Sequence, residues 1–396
     1  MERREAVITG VLLGAMFAVI AGLFAYGRSQ ETTLPLNDEP VVSTTDTPDL
    51  DDTPTEFDAF VAEAVAFVEA TRGRRFVATP TVLSLSEAAF VARIQADFAE
   101  DFDESPEDVE LFNAMYRAIG LIEPDDSIDD VYGQFGEAGI LGFYDPETDE
   151  LVVRQRDELS LLTMSTIVHE LTHAFDDQHF DLDRPEYDDR TDEIAWGFRA
   201  VAEGSASWVE EEWKATLSLD QQLQLQQEEF GFADPGIFDR FELSFLLLEL
   251  SPYDYGRSFV EHLQAGGGND ALNEAIEEPP VTSEQVIDPT RYDVREGAIE
   301  LAPPPADGEI QFSGIGGQVL IDSIFQGNGV FRDFEWGGDQ IVVWTAEGRS
   351  CLRWDVQAED GGTGAVANNF GQWGDNVGST VVEILDDRTV RIERCV

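Results

Sequence analysis

SLLTMSTIVHELTHAFDDQ, residues Ser160 to Gln178, decides how this chain is read. Apolar residues recur at Leu161, Leu162, Met164, Ile167, Val168, Leu171, Ala174 and Phe175, the spacing of a buried helical stripe, with Ser160 placed to cap its start. Within it, His169-Glu170-Leu171-Thr172-His173 is an H-E-x-x-H string. Positions i and i+4 share one helical face, so His169 and His173 can offer imidazole nitrogens to one metal ion. Glu170, beside the first of them, can reach a water held by that metal. Zinc brings such a water's pKa to about 7, where a carboxylate can take its proton. The chemistry implied is peptide-bond hydrolysis, with Glu170 as base and Zn2+ as cofactor. Upstream, Gly142 to Val153 reads as strand, turn, strand, and zinc peptidases place a strand beside the metal helix where an extended substrate can pair. The competing interpretation is two polar histidines on a half-buried helix.

A catalytic zinc takes three protein ligands, so one more is needed. His179 has the right distance for the pattern H-E-x-x-H-x-x-G-x-x-H, but Asp176 stands where that pattern has glycine. If the helix continues, six residues turn about 600° and carry His179 off the metal face. No methionine follows the motif to form a Met-turn. Glu203, in AVAEGSAS at Ala200–Ser207, lies in a second helical stretch, about Asp192 to Leu217, among small residues that permit close packing. A His-His-Glu set of His169, His173 and Glu203 is the favoured expectation. Asp176 and Asp177 are either partners of a ligating imidazole or solvated charges.

Composition bounds the setting. The net charge is −57, from 81 acidic against 24 basic residues, and Lys214 is the only lysine. Such a surface repels itself until salt shortens the Debye length to about 3 Å near 1 M. We read this as a protein of an extreme halophile, a haloarchaeon. With 42% hydrophobic and 10% aromatic residues, the chain can build a core rather than remain disordered. The sign of the charge argues against nucleic-acid partners.

Arg3 and Arg4 precede an uncharged run from Ala6 to Gly27, long enough for one transmembrane helix. Positive charge before the span puts the N-terminus in the cytoplasm and the body outside. A cleaved signal peptide is the alternative. The expected organisation is a stub and anchor at 1–28, an acidic Thr/Pro-rich linker at 29–58, a mainly helical zinc domain at 59–308, and a C-terminal antiparallel α+β module at 309–396. The fold class is therefore α+β.

Helical spacing covers Phe57–Glu69, Ser86–Phe98, Pro106–Leu121, Leu219–Phe230 and Phe241–Leu250, with a further helix from Ser258 to Gln264 after a break at Ser251–Arg257. Alternation marks strands at Asp339–Thr345, Ser350–Val356 and Thr380–Ile392, and Trp336–Asp339 reads as a turn entering the first. Cys351 and Cys395 either form a disulfide tying the last strand to an earlier one or remain buried thiols. Tyr253, Tyr255 and His262 are three candidates for stabilising an oxyanion, with core packing as the alternative for each.

The segments HELTHAFDDQHFDL (169–182), AVAEGSA (200–206), PPVTSEQVIDPTRY (279–292) and WGGDQIVVW (336–344) together resemble a zincin-like family that includes surface proteins of haloarchaea. The resemblance spans about residues 56–396. It implies a gluzincin-like metallopeptidase core with His169, His173 and Glu203 as ligands and Glu170 as base, and a peptide or protein as substrate. The rival expectation is a non-catalytic surface protein that keeps the same scaffold.

Overall fold

The computed structural model describes residues 55–396 other than 104–105, 147, 156–158, 185–186, 188–192, 233–235 and 360. The expected membrane span and nearly all of the linker lie outside the described residues. Among the described residues, no helix is long and apolar enough to cross a membrane. The architecture is mixed α+β, largely helical, with two small sheets.

Thr55 starts the first helix, α1 (Glu56–Arg72), by a reciprocal cap with Asp58. A strand β1 (Thr81–Leu85), not foreseen from sequence, leads to α2 (Glu87–Asp103), α3 (Pro106–Ile119) and α4 (Ile128–Gly139). The hairpin of β2 (Gly142–Asp145) and β3 (Glu150–Arg154) follows. β1 pairs parallel to β3, so β2 is an antiparallel edge strand. The sheet covers α5 (Leu161–Phe180), the helix of the motif, which Ser160 caps through the Thr163 N–H.

Nearly all of α5 is buried, and Ile167, Val168, Leu171 and Phe175 join one apolar cluster with α1, β3 and Trp213. Each such side chain contributes roughly 1.5–3 kcal/mol by leaving water. Its buried hydroxyls, Thr166 and Thr172, donate back to the carbonyls of Leu162 and Val168, so neither is left unsatisfied. At Gly142 an added Cβ would lie 2.8 Å from Thr166 Cγ2, so glycine is what lets β2 come down onto α5.

Next come α6 (Glu193–Lys214), α7 (Leu219–Phe232), the short α8 (Ile237–Arg240), α9 (Leu243–Gly267), α10 (Asn269–Glu277), α11 (Ser283–Ile287) and α12 (Pro289–Asp293). The expected break at Ser251–Arg257 does not occur, and α9 runs through Pro252 for 25 residues. Pro252 has no N–H for the Leu248 carbonyl. The Ser251 hydroxyl takes that role, donating to Leu248 O at 2.6 Å and accepting from Trp196 Nε1 at 3.0 Å. The helix therefore survives its proline.

α9 crosses α6 at a glycine pair. A Cβ on Gly256 would stand 2.0 Å from the Ala200 carbonyl oxygen, and one on Gly204 would stand 2.3 Å from the Gly256 carbonyl. Backbone meets backbone one residue after Glu203, as the run of small residues there had suggested.

The chain ends with β4 (Glu309–Gly314), α13 (Gly317–Gly327), β5 (Trp336–Ala346), β6 (Arg349–Ala358), α14 (Thr363–Val377), β7 (Thr380–Ile384) and β8 (Thr389–Cys395). These strands form an antiparallel sheet in the order β4-β5-β6-β8-β7. The stretch expected as one strand, Thr380–Ile392, is two strands joined by a turn at Asp386, whose Oδ1 accepts from the Arg388 and Thr389 amides. Cys351 and Cys395 face each other in register and are disulfide-bonded. One apolar cluster runs from Phe90 and Tyr116 through Phe245 to Trp354 and Ile392, so α2–α4, α9 and the C-terminal sheet share a core.

Asp339 sits within β5, not in a turn, and accepts four hydrogen bonds: from the Gly316 and Gly317 amides and from Trp336 and Trp354 Nε1. Ser283 accepts the Val319 amide and donates its own N–H and hydroxyl to Glu193. The segments 279–292 and 336–344 thus cap α13 together and bind it to the first residue of α6.

Gly256→Ala should cost roughly 3 kcal/mol or more, because the overlap is with backbone rather than a yielding side chain. Denaturant unfolding within about 0.5 kcal/mol of the parent would show that the helices do not cross this closely.

Candidate metal site

α5 and α6 converge so that His169 Nε2, His173 Nε2 and Glu203 Oε2 form a near-equilateral triangle. The nitrogens are 3.1 Å apart and each is 3.3 Å from the oxygen. Donors about 2.0–2.1 Å from a tetrahedral zinc lie about 3.3 Å from one another, so the triangle has the size of one face of that tetrahedron. This buried group could hold a metal ion.

His179 is not part of it. It lies in the last turn of α5 against Phe175, with Nε2 2.9 Å from the Arg75 carbonyl oxygen. The helix continued, and the helical turn carried His179 away from the cluster.

Glu170 is fully buried, and neither carboxylate oxygen has a hydrogen-bond partner among the described residues. The Tyr144 amide on β2 approaches without reaching hydrogen-bond geometry. Burial lifts the Glu170 carboxyl to about 7, against the pull of the two imidazoles. Burial also disfavours charge on His169 and Glu203, but their mutual hydrogen bonds win. Glu203 is held at about 2 and His169 is raised to about 10.

The sequence reading missed Glu210. Its Oε2 lies 3.2 Å from His169 Nδ1, where it can fix the ring's orientation and leave Nε2 free for a metal. Glu210 is itself held by Ser165 Oγ at 2.6 Å and Lys214 Nζ at 2.9 Å. Lys214 also reaches Glu211 and Glu229, so one ammonium spreads its three donors over three carboxylates. A signal was present: Glu210 follows Glu203 by two helical turns and so shares its face.

Neither Asp176 nor Asp177 bonds an imidazole, and only Asp177 keeps partial contact with solvent. Asp176 is buried in an ion pair with Arg72 at 2.8 Å and accepts from Ser205 Oγ at 2.5 Å. Arg72 continues to Asn273, so this network ties α1, α5, α6 and α10 together. Asp177 accepts from Tyr144 OH and the Leu182 amide.

Of the three oxyanion candidates, Tyr253 alone is beside the cluster. Its ring centroid is 6.1 Å from that of His169, and its hydroxyl approaches Glu203 without reaching hydrogen-bond geometry. Burial, then the charges of Glu203 and Glu170, push its pKa well up, so it stays a donor. Tyr255 instead lies against Asp322 and Gln326, and His262 is near the surface, 3.1 Å from Asp293.

The charges around the triangle do not balance. Glu170, Glu203, Glu210 and Glu249 are matched by Arg199 and Lys214, and Lys214 is shared with two further carboxylates. With His169 neutral, as a metal ligand must be, these carboxylates outnumber the two cations, which fits a divalent cation.

No family model, curated protein or solved structure matches the chain.

Elemental analysis of the protein in molar salt should find about one divalent ion per chain. Glu203→Ala should lose it and His179→Ala should keep it. Glu210→Gln should weaken affinity by about 10–100-fold. Loss in His179→Ala alone would contradict the triangle.

Proposed function

We propose that the chain is a zinc-dependent peptidase built on a gluzincin-like core. The observation that carries this reading is Glu170, a fully buried carboxylate whose two oxygens have no hydrogen-bond partner among the described residues, beside three convergent donors. Burying such a group costs several kcal/mol. No hydrogen bond among the described residues offsets that cost, whereas a base with a pKa near 7 is suited to moving a proton at neutral pH.

Held by His169, His173 and Glu203, zinc supplies Lewis acidity that polarises a carbonyl and makes water more acidic. Glu170 takes a proton from the attacking water and passes it to the amine as the C–N bond breaks. The hydroxyl is left on the new carboxyl group. Tyr253 donates toward the oxygen on which negative charge develops. Glu210 keeps the His169 ring in place throughout. With the span Ala6–Gly27 as tether and the acidic stretch 29–58 as spacer, the enzyme would act outside the cell in molar salt.

A cavity of about 640 Å³, bordered by Thr166, Ser207, Glu210, Lys214 and Tyr253, begins one helical turn from His169 and Glu203. It supports the reading by giving a substrate room beside the cluster. The ligands themselves are 0–1% exposed, so substrate entry requires the layer around Tyr253 to move. That complete burial favours a second reading, a structural metal in a non-catalytic surface protein.

Glu170→Gln decides between them. The peptidase reading expects unchanged zinc content and unfolding midpoint, with cleavage of a mixed peptide pool lowered about 10²–10⁴-fold. A zinc-loaded parent that cleaves nothing, and that unfolds when chelated, would establish the structural metal instead.

A further inference from the structure

Arg199 lies on α6 one turn before Glu203, on the same face. Its Nε is buried without a hydrogen-bond partner among the described residues. Its one ion pair there is loose, Nη1 standing 3.9 Å from Glu249 Oε2. A well-made guanidinium–carboxylate pair closes to about 2.7–2.9 Å through two parallel bonds. Glu249 cannot swing to meet it, because Glu249 Oε1 is held by Tyr132 OH at 2.7 Å and Tyr116 OH at 3.3 Å. The fork of Arg199 therefore stays open. Solvent reaches 15% of its side chain, although the neighbouring ligands are sealed. Tyr253, beside Glu203, feels the charge of Arg199 as well.

We propose that Arg199 anchors the free carboxylate at the end of a peptide, so that the site removes residues from carboxy-termini rather than cutting within chains.

The dimensions agree. Four helical residues advance about 6 Å. One extended residue spans about 3.6 Å. A spacing of that order is filled by one residue and is too short for two. Ser207, which borders the cavity, is one turn beyond Glu203 in the opposite direction. A peptide lying along α6 would place its body in the cavity, its last peptide bond at the triangle and its terminal carboxylate in the guanidinium fork. Planar, bidentate recognition also explains the use of arginine at this point.

For the reaction, this inference rests on the peptidase reading, but binding can be measured apart from it. The test uses zinc-loaded Glu170→Gln protein in molar salt with a dansyl-labelled tripeptide and its C-terminal carboxamide. The free acid should bind at least about tenfold more tightly than the amide. Arg199→Gln should abolish that preference with zinc content intact, and Arg199→Lys should keep part of it. Equal binding of acid and amide by the Glu170→Gln parent overturns the proposal, and this comparison needs no folded Arg199 variant. An acid preference that persists in Arg199→Gln also overturns it. Cleavage of both peptides by the unsubstituted enzyme, with equal binding, would remove this inference and leave the peptidase reading standing. An acid preference that depends on Arg199, without cleavage of either peptide, would do the reverse.

Discussion

Carboxylates buried beyond the reach of water need a compensating charge, and the centre of this protein is organised around that need. α5 and α6 bring two imidazole nitrogens and a carboxylate oxygen to within 3.3 Å of one another, beside the further carboxylates of Glu170 and Glu210. A divalent cation at that point would satisfy both the geometry and the charge. Much of the fold is the means of holding the convergence. Glycines let α9 press on α6 beside Glu203, another lets β2 press on α5, and the Arg72–Asp176–Ser205 network fixes the helices behind the ligands.

The motif helix, its capping serine and the shared face of the two histidines were legible because helical spacing alone puts an i, i+4 pair side by side on an apolar stripe. Glu203 was legible from its small neighbours, which the close crossing with Gly256 explains. What escaped the sequence were interactions between elements distant along the chain. Glu210 and Lys214 read as ordinary members of an acidic helix until the fold sets them behind His169. Pro252 read as a helix break, because the hydroxyl that rescues its orphaned carbonyl is itself positioned by Trp196 of another helix. Asp339 read as a turn residue, since nothing local reveals that two indoles and two amides converge on it. Asp176 and Asp177 read as near-equivalent neighbours, yet α5 turns the first toward Arg72 and the second toward Tyr144.

The scarcity of cations shapes the rest. With 24 basic residues against 81 acidic ones, single cations serve several carboxylates. Lys214 meets three, and Arg291 meets Glu284, Asp288, Glu296 and Glu359. Arg353 clasps Glu393 and Asp307. In molar salt such exposed pairs are screened and matter less than in dilute buffer. The buried ones, Arg72 with Asp176 above all, keep their strength there. Dilution should therefore stress the surface before it disturbs the site.

The most direct measurement is zinc K-edge absorption spectroscopy of the metal-loaded protein in molar salt. The account predicts a first shell of two imidazole nitrogens and light oxygen donors at about 2.0–2.1 Å. A shell requiring three imidazoles, or a protein that folds and binds no zinc, would contradict it.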